Sequence, residues 1–256
     1  VYVSYMRDEY FRYQEQLGVG LTPKQRHTYN IPRLLWTYKV NNSHRLTSGI
    51  ELINERLRFD LNGDPAGYND VKSITTAGLY VQDEIKSGQK LSFVVGLRGD
   101  WSDKFGWRAT PRASAKYNFG DFALRANYSY GYRFASIKEL YMIMDVAVAS
   151  APKIYGNEDL KAETNNFFSL ALDYNRSWIN LSATVSKSFF RNKIDARYSG
   201  RENGKMVLRY ENVDKSELGT IEVIGRFKLA RSLFLNANYN YIFQSDNAPE
   251  SSTQYI

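Results

Sequence analysis

The sequence predicts an all-β protein, an antiparallel up-and-down transmembrane β-barrel of which this chain holds a part. Three observations predict this class: segments that alternate apolar and polar residues, tight turns that alternate with longer connections, and aromatic residues beside both. The segment from Asp121 to Phe134 (DFALRANYSYGYRF) alternates without a break. At about 14 residues it is far longer than a globular strand of about 5 to 6, and it exceeds the 9 to 11 that cross a bilayer.

Composition excludes a helical membrane protein. Mean hydropathy is −0.49, and the longest apolar runs, Leu91 to Leu97 and Leu140 to Met144, are much shorter than the roughly 18 residues of a membrane helix. A barrel satisfies its backbone without helices and places its apolar residues at alternate positions. The 20 tyrosines suit membrane interfaces, and the absence of cysteine decides little.

The charge pattern argues against nucleic acid as a partner. The net charge is +7, but the 34 basic and 27 acidic residues are interspersed, without a basic stripe carrying aromatic residues. Val1 begins inside a strand-like pattern that lacks the features of a signal peptide. We therefore expect the chain to be a piece of a longer protein.

The turns define the elements in order. Short polar turns that suit hairpins are expected at Asn41 to His44, Lys86 to Gln89, Gly120 to Asp121, Asn175 to Ser177 and Ala230 to Ser232. Longer connections are expected at Glu15 to Thr22, Leu61 to Val71, Ser102 to Gly106, Ala135 to Lys161 and Ser199 to Lys205. Between them lie roughly eleven strands, and short turns at one rim with long loops at the other are the anatomy of an outer-membrane barrel.

Alternation alone does not exclude a soluble β-sandwich, because strands of a sandwich also alternate, with the apolar face pointing inward instead of toward lipid. Aromatic position favours the barrel. The aromatic residues beside the short turns are Tyr38, Tyr117, Phe119, Tyr174, Trp178 and Phe227, and those beside the long loops are Tyr130, Tyr132, Phe134, Phe189, Tyr241 and Phe243. Two aromatic girdles separated by aliphatic residues match the two faces of a bilayer.

Several segments, in order, resemble the C-terminal half of the TonB-dependent outer-membrane receptors. The segments are Tyr80 to Glu84 (YVQDE), Val95 to Asp100 (VGLRGD), Thr110 to Ser114 (TPRAS), Tyr130 to Tyr141 (YGYRFASIKELY), Gly156 to Glu163 (GNEDLKAE), Phe189 to Ile194 (FFRNKI), Glu211 to Val213 (ENV) and Gly219 to Glu222 (GTIE). The resemblance runs from about Thr76 to Phe243. The chain departs from the family at Glu158 and Ala162, where prolines are usual.

The resemblance implies a barrel of about 22 strands around a plugged lumen, so residues 1–256 would form a partial barrel domain without the plug. It implies a receptor in the outer membrane of a Gram-negative bacterium that imports a scarce nutrient. A ferric siderophore or other iron chelate is expected first, then haem, cobalamin or an oligosaccharide. Implied partners are membrane lipid, the substrate, and the TonB energy-transducing protein, reached through a segment absent here. No cofactor is expected.

Six candidate ligand-binding residues follow from position: Arg125, Arg133, Tyr141, Met142, Met144 and Tyr155. The two arginines face the predicted lumen, where a guanidinium binds carboxylate or phosphate bidentately. The four others lie in the loop expected from Ala135, where tyrosine and methionine could ligate iron or simply pack. The absence of histidine between Ala135 and Asn157 lowers the expectation of haem.

The lumen-side arginines have a second interpretation. Arg33, Arg98, Arg112, Arg125, Arg133 and Arg226 could attract an anionic ligand, or they could pair with plug carboxylates or with Glu51, Glu84, Asp100 and Glu222. Neither histidine has partners at metal spacing: we expect His44 to be a solvated turn residue and His27 to end a loop. Asp60, Asn62 and Asp64 resemble the start of a calcium loop, but Pro65 takes the required glycine position, which favours a solvated acidic loop.

An enzyme is not expected, because the sequence has no GxSxG, HExxH, glycine-rich phosphate loop or cysteine nucleophile. Metal sites are likewise not predicted. Two alternative functions stay open, a passive porin and a soluble β-sandwich that binds or adheres.

Overall fold

The computed structural model describes residues 2–10, 23–61, 71–144 and 151–246, which form one open sheet. Its eleven long strands are β1 (Tyr2–Tyr10), β2 (Pro23–Lys39), β3 (His44–Leu61), β4 (Val71–Ser87), β5 (Leu91–Ser102), β6 (Gly106–Phe119), β7 (Phe122–Arg133), β10 (Glu163–Arg176), β11 (Ile179–Glu202), β12 (Lys205–Lys228) and β13 (Phe234–Asp246). Helix α1 (Ile137–Tyr141) and strands β8 (Ile143–Met144) and β9 (Lys153–Tyr155) lie between β7 and β10. Each long strand pairs antiparallel with its neighbours in chain order, which confirms the predicted meander.

The predicted short turns occur at the same rim, here called the turn rim. Asn41 shows how the sequence builds one, because its side-chain oxygen accepts hydrogen bonds from the backbone amides of Ser43 at 2.7 Å and His44 at 2.8 Å. Glycines with positive φ close two others, Gly88 at 68° and Gly120 at 61°. The opposite rim, toward which β11 and β12 extend, is called the loop rim.

Of the predicted long connections, the one from Ser102 to Gly106 has the expected bounds but is short, and the one from Ser199 to Lys205 is wrong. Only three residues separate β5 from β6, because β5 ends at Ser102 and β6 begins at Gly106, itself at a φ of 69°. Between β11 and β12 the strands themselves continue for 24 residues each and are joined at Asn203 and Gly204, both with positive φ. The length at that position comes from a projecting hairpin. The connections expected at Glu15 to Thr22 and Leu61 to Val71 fall largely outside the described residues.

The two faces of the sheet differ in chemistry. The inner face carries the charged residues Glu51, Arg98, Asp100, Arg125 and Asp173. The cap loop, defined as residues 134–144 and 151–162, packs on it. The outer face carries exposed apolar residues in register, among them Leu79, Leu97, Leu124, Leu170 and Ile221. This is the polarity of a barrel wall and the reverse of a soluble sandwich.

Aromatic rings form a belt on the outer face at the turn rim. Phe119 stacks between Tyr117 and Phe122 with centroid distances of 5.7 and 5.6 Å, and Phe122 lies 4.8 Å from Tyr174. A second group lies six residues higher on β7 and β10, where Tyr128 contacts Phe168 at 5.0 Å. Six residues of strand measure about 20 Å, close to the roughly 25 Å apolar band of outer-membrane barrels.

The cap loop crosses the inner face near the loop rim. Its buried residues Ala135, Ile137, Leu140 and Leu160 form a cluster with residues of distant strands: Leu57 of β3, Ile74 of β4 and Ile194 of β11. On its far side β9 pairs in parallel with Val207 to Arg209 of β12. The loop therefore bridges strands that lie well apart in the sheet. No helix in the described residues is long and apolar enough to span a bilayer.

The ladder between β6 and β7 ends early. The last paired residues are Arg112 and Ser129, although both strands continue toward the loop rim along their other neighbours. Pro111 stands at that point and has no N–H to donate. Two of the girdle residues expected beside it, Tyr132 and Phe134, are wrong for the lipid side. Tyr132 hydrogen-bonds Asp100, and Phe134 stacks on Phe105 at 4.6 Å.

Candidate functional site

A buried ion-pair network lies at the centre of the inner face. Glu51 has 4% of its surface exposed. Its carboxylate accepts hydrogen bonds from Arg33 of β2 and, at 2.8 Å, from the Nη2 of Arg98 of β5. The Arg98 Nε donates to both oxygens of Asp100 at 2.9 Å, and Asp100 is fully buried. Glu51 and Asp100 lie on adjacent ladders through Gly78, which opposes both. A side chain at Gly78 would occupy the space of this network.

Beside the network lies a cavity of about 360 Å³. Its lining residues are Arg33, Tyr80, Gln82, Arg98, Arg112 and Tyr130, with Thr110 and Ser129. Among the described residues Arg112 makes no ion pair, and the Gln82 Oε1 is buried without a hydrogen-bond partner. The cavity thus presents one guanidinium with unused donors and one unused acceptor, which suits an anionic or amide-bearing group.

Arg125, a predicted binding residue, is held by a carboxylate. Its Nε and Nη2 donate to Asp173 on β10 at 2.7 and 2.8 Å, and the Ser182 hydroxyl donates to the same carboxylate at 2.7 Å. Arg125 is therefore paired in the structure, but Asp173 is none of the carboxylates named in the pairing alternative, and a role of Arg125 in ligand binding stays a prediction. Only part of its donor capacity stays available to a ligand.

Arg133 is likewise paired, at the junction of β7 and the cap loop. It donates to Glu139 at 2.9 and 3.0 Å and to Glu163 at 3.2 Å. Glu139 also closes a capping box at the start of α1, where its Oε2 accepts from the backbone N–H of Ser136 at 2.7 Å. The FASIKEL segment thus encodes a helix start anchored to the strand before it.

The four predicted loop ligands do not converge. The Tyr141 ring lies against the ammonium groups of Lys72 and Lys104, at 4.8 and 5.6 Å from its centroid. The Tyr155 hydroxyl donates to Glu202 at 2.9 Å. Met142 accepts the Gly156 amide through its carbonyl at 2.6 Å, and Met144 pairs with Ile154. These contacts are those of loop packing, and no cluster of three or more His, Asp or Glu able to hold a metal occurs in the described ranges.

Both histidines have carboxylate partners. His27 lies inside β2, so it does not end a loop, and its Nε2 lies 2.7 Å from Glu55 of β3. The His44 Nδ1 lies 2.7 Å from Asp83, and 41% of the His44 side chain is exposed at the turn, so the expected solvated turn residue also has a carboxylate partner. The acidic segment that resembled a calcium loop lies outside the described residues, apart from the backbone of Asp60.

Tyr210 marks the polar boundary of the cap-loop cluster on the projecting part of β12. It packs against the buried cluster, and its carbonyl accepts from the Asn157 side chain at 3.1 Å. Burial raises the pKa of the Tyr210 phenol, and the carboxylates of Glu139 and Asp195 raise it further. The phenol therefore stays neutral beyond its ordinary range.

Sequence reasoning missed Asp173, Glu139 and Glu163 as arginine partners. Alternation along β10 does place Asp173 on the charged face, and the S-x-x-E spacing of Ser136 and Glu139 does indicate a capping box. The sequence does not give the register between β7 and β10. Arg125 reaches Asp173 because Arg125 lies opposite Ala171 in that register.

The chain resembles known receptors in sequence and fold. The family model described as "TonB dependent receptor-like, beta-barrel" matches residues 2–255. The ferrienterobactin receptor of Escherichia coli K12 is 25% identical over 181 residues, covering 66% of this chain and 24% of the relative. The iron-regulated outer membrane virulence protein of Vibrio cholerae serotype O1 is 24% identical over 208 residues, covering 77% of this chain and 32% of the relative.

Solved structures agree in fold. The siderophore receptor PirA of Pseudomonas aeruginosa has a TM-score of 0.74 at 22% identity, covering 88% of this chain and 44% of that one. A ferric enterobactin receptor (PfeA) mutant of the same organism, in complex with enterobactin, has a TM-score of 0.69 at 21% identity, covering 88% and 36%. The copper transporter OprC has a TM-score of 0.74 at 13% identity, covering 96% and 43%. The chain spans about a quarter to a third of the length of the curated relatives.

Proposed function

The chain belongs to the TonB-dependent receptor β-barrel family, and from that membership we propose that the whole protein is an outer-membrane receptor for energy-coupled uptake of a ferric chelate. The chain forms part of the wall of that barrel. Its outer face contacts lipid of a Gram-negative outer membrane, and its inner face surrounds the route of the substrate. The energy comes from a TonB protein that contacts another part of the receptor.

The observation that carries the proposal is the cap loop docked on a charged inner face. A passive porin needs a lumen that stays open to water. Here Ile137 and Leu140 hold the loop against β3, β4 and β11 across that face. Such a loop favours a gated receptor, which admits its substrate only after binding it.

A ferric chelate with anionic groups is the substrate class that the inner face best supports. Arg33, Arg98 and Arg112 surround one cavity, and two carboxylates neutralise the first two. The Arg112 guanidinium therefore supplies the available positive charge. The relatives named for ferric enterobactin add support for iron chelates over haem, cobalamin or an oligosaccharide.

The test uses the full-length receptor expressed in a Gram-negative strain that lacks its own siderophore receptors. Uptake of radiolabelled iron as a ferric catecholate is measured in the presence and absence of TonB. We expect saturable uptake that requires TonB. Uptake that continues without TonB, together with ion conductance across planar bilayers, would instead establish a passive porin.

The cavity is tested with Arg112→Gln in the same assay. We expect the half-saturating chelate concentration to rise by at least about tenfold, since a guanidinium hydrogen bond to an anion contributes about 1.5 to 3 kcal/mol. Arg231→Gln, in an exposed turn at the opposite rim, is the matched control. Equal half-saturation in both variants would remove the cavity from the substrate route without affecting the transport assignment.

A further inference from the structure

The outer face contains a concave strip with a floor of three alanines, Ala113 and Ala115 of β6 and Ala126 of β7. Ala115 of β6 opposes Phe93 on one side and Ala126 of β7 on the other. Ala113, two residues along β6, opposes Val95. This alanine groove is a cavity of about 550 Å³, with walls formed by Phe93 and Val95 on one side and by Tyr128, Phe168 and Leu170 on the other.

The groove is closed toward the turn rim, where Tyr117 opposes Leu124 and restores large side chains. Elsewhere the outer face is covered by exposed leucine, valine and aromatic residues. Close-packed apolar surfaces lose dispersion contacts where a void remains. A groove of this chemistry in a lipid-facing wall is therefore filled by something flexible and apolar.

Cations lie on the same face toward the loop rim. Lys187 of β11 lines the groove, lies 4.9 Å from the centroid of the Phe189 ring and pairs with Glu217 at 2.7 Å. Four residues farther, about 13 Å along the strand, Arg191 stands directly opposite Lys215 of β12, and both are exposed.

This arrangement is unfavourable without a ligand. Like charges directly opposite each other destabilise a β-ladder. In the described part of the chain neither Arg191 nor Lys215 makes an ion pair or a ring contact that would offset the repulsion. An anion between them would turn the repulsion into attraction, since guanidinium and ammonium groups both bind phosphate.

We propose that the outer face binds one phosphorylated acyl lipid of the outer leaflet, with an acyl chain in the alanine groove and its phosphate between Arg191 and Lys215. The proposal rests on the proposed function only in placing the loop rim at the outer leaflet. The two cations favour a negatively charged headgroup, and the small alanine side chains leave room for an acyl chain. A lipid held in this way would stay with the receptor when bulk lipid is removed.

The experiment is native mass spectrometry of the full-length receptor purified in detergent and incubated with phosphatidylglycerol or phosphatidylcholine of identical chains. We expect one retained phosphatidylglycerol per receptor and weaker retention of phosphatidylcholine. Arg191→Gln combined with Lys215→Gln should lower retention of phosphatidylglycerol by about thirtyfold. Ala126→Leu, which fills the groove, should lower retention of both lipids by about fivefold.

Two controls match these changes. Arg231→Gln removes a cation at the opposite rim, and Ala183→Leu enlarges an exposed alanine on β11 outside the groove. The proposal is overturned if the double variant retains phosphatidylglycerol like the wild type, or if Ala126→Leu and Ala183→Leu behave alike. Iron uptake by the same variants separates the two proposals, because retention can be lost while TonB-dependent uptake continues.

Discussion

Replacing Leu140 by alanine should release the cap loop from the inner face while leaving the barrel wall intact. Leu140 is 1% exposed and lies in the cluster with Ile137 and Leu57. Removal of a buried leucine side chain costs about 2 to 5 kcal/mol, and we take about 3. Because every 1.4 kcal/mol is a factor of about ten, the docked loop should open about a hundredfold more often.

The assay is hydrogen exchange of the full-length receptor in detergent. The amides to follow are Gly156, which donates to the Met142 carbonyl at 2.6 Å, and Asn157, which donates to the Glu139 carbonyl at 2.9 Å. Both should exchange about a hundredfold faster in Leu140→Ala. Amides in the ladder between β7 and β10 should exchange as in the wild type.

Ile143→Ala is the control, because Ile143 belongs to the same loop but is 48% exposed. It should change exchange by less than about threefold. Unchanged protection of Gly156 and Asn157 in Leu140→Ala would refute the reasoning. The loop would then be held by its hydrogen bonds to β12, and the cluster would contribute little.

Three further predictions concern charged and titrating groups. Arg125→Gln should lower barrel stability by about 1 kcal/mol, since it leaves Asp173 without its main partner in a half-exposed pair. Chelate affinity in the uptake assay should be unchanged. A loss of affinity would restore Arg125 as a ligand residue. Glu139→Ala should remove the side-chain acceptor of the capping box and weaken the start of α1 by about 1 kcal/mol, seen as faster exchange of the α1 amides, and equal rates would contradict it. Because the folded pKa of Tyr210 is raised, its contribution to stability is complete below the ordinary pKa of about 10 and is lost as pH rises above it. Tyr210→Phe should therefore weaken the alkaline decline in melting temperature, and an identical pH profile would count against the shift.

Alternation and turn chemistry were sufficient to predict the wall. The positions of the short turns follow from residues such as Asn41 and Gly120, whose local conformations need no distant partner. The predicted fold class and family resemblance are confirmed. The projecting hairpin was not predicted, because Asn203 and Gly204 supply a two-residue turn inside what reads as a polar loop.

The candidate site was predicted less well, because it depends on contacts between distant segments. Alternation placed Arg98 and Asp100 on one face, but the partners of Arg125 and Arg133 depend on register and on the path of the cap loop. Gly156 is a further example. A side chain there would collide with the backbone of Leu140, a constraint that sequence spacing does not reveal.

The path of the cap loop has a consequence for the order of assembly. Asn157 and Lys161 hydrogen-bond to residues of β12 that lie 53 and 51 positions later in the chain. Contacts of such long range form late, because closing the intervening chain costs entropy before they are gained. Until β11 and β12 are in place, Ile137 and Leu140 have only part of their apolar surroundings. A chain in which β11 and β12 have not yet joined the wall would therefore expose this segment to chaperones and proteases, and protection of the segment would report that these two strands have joined.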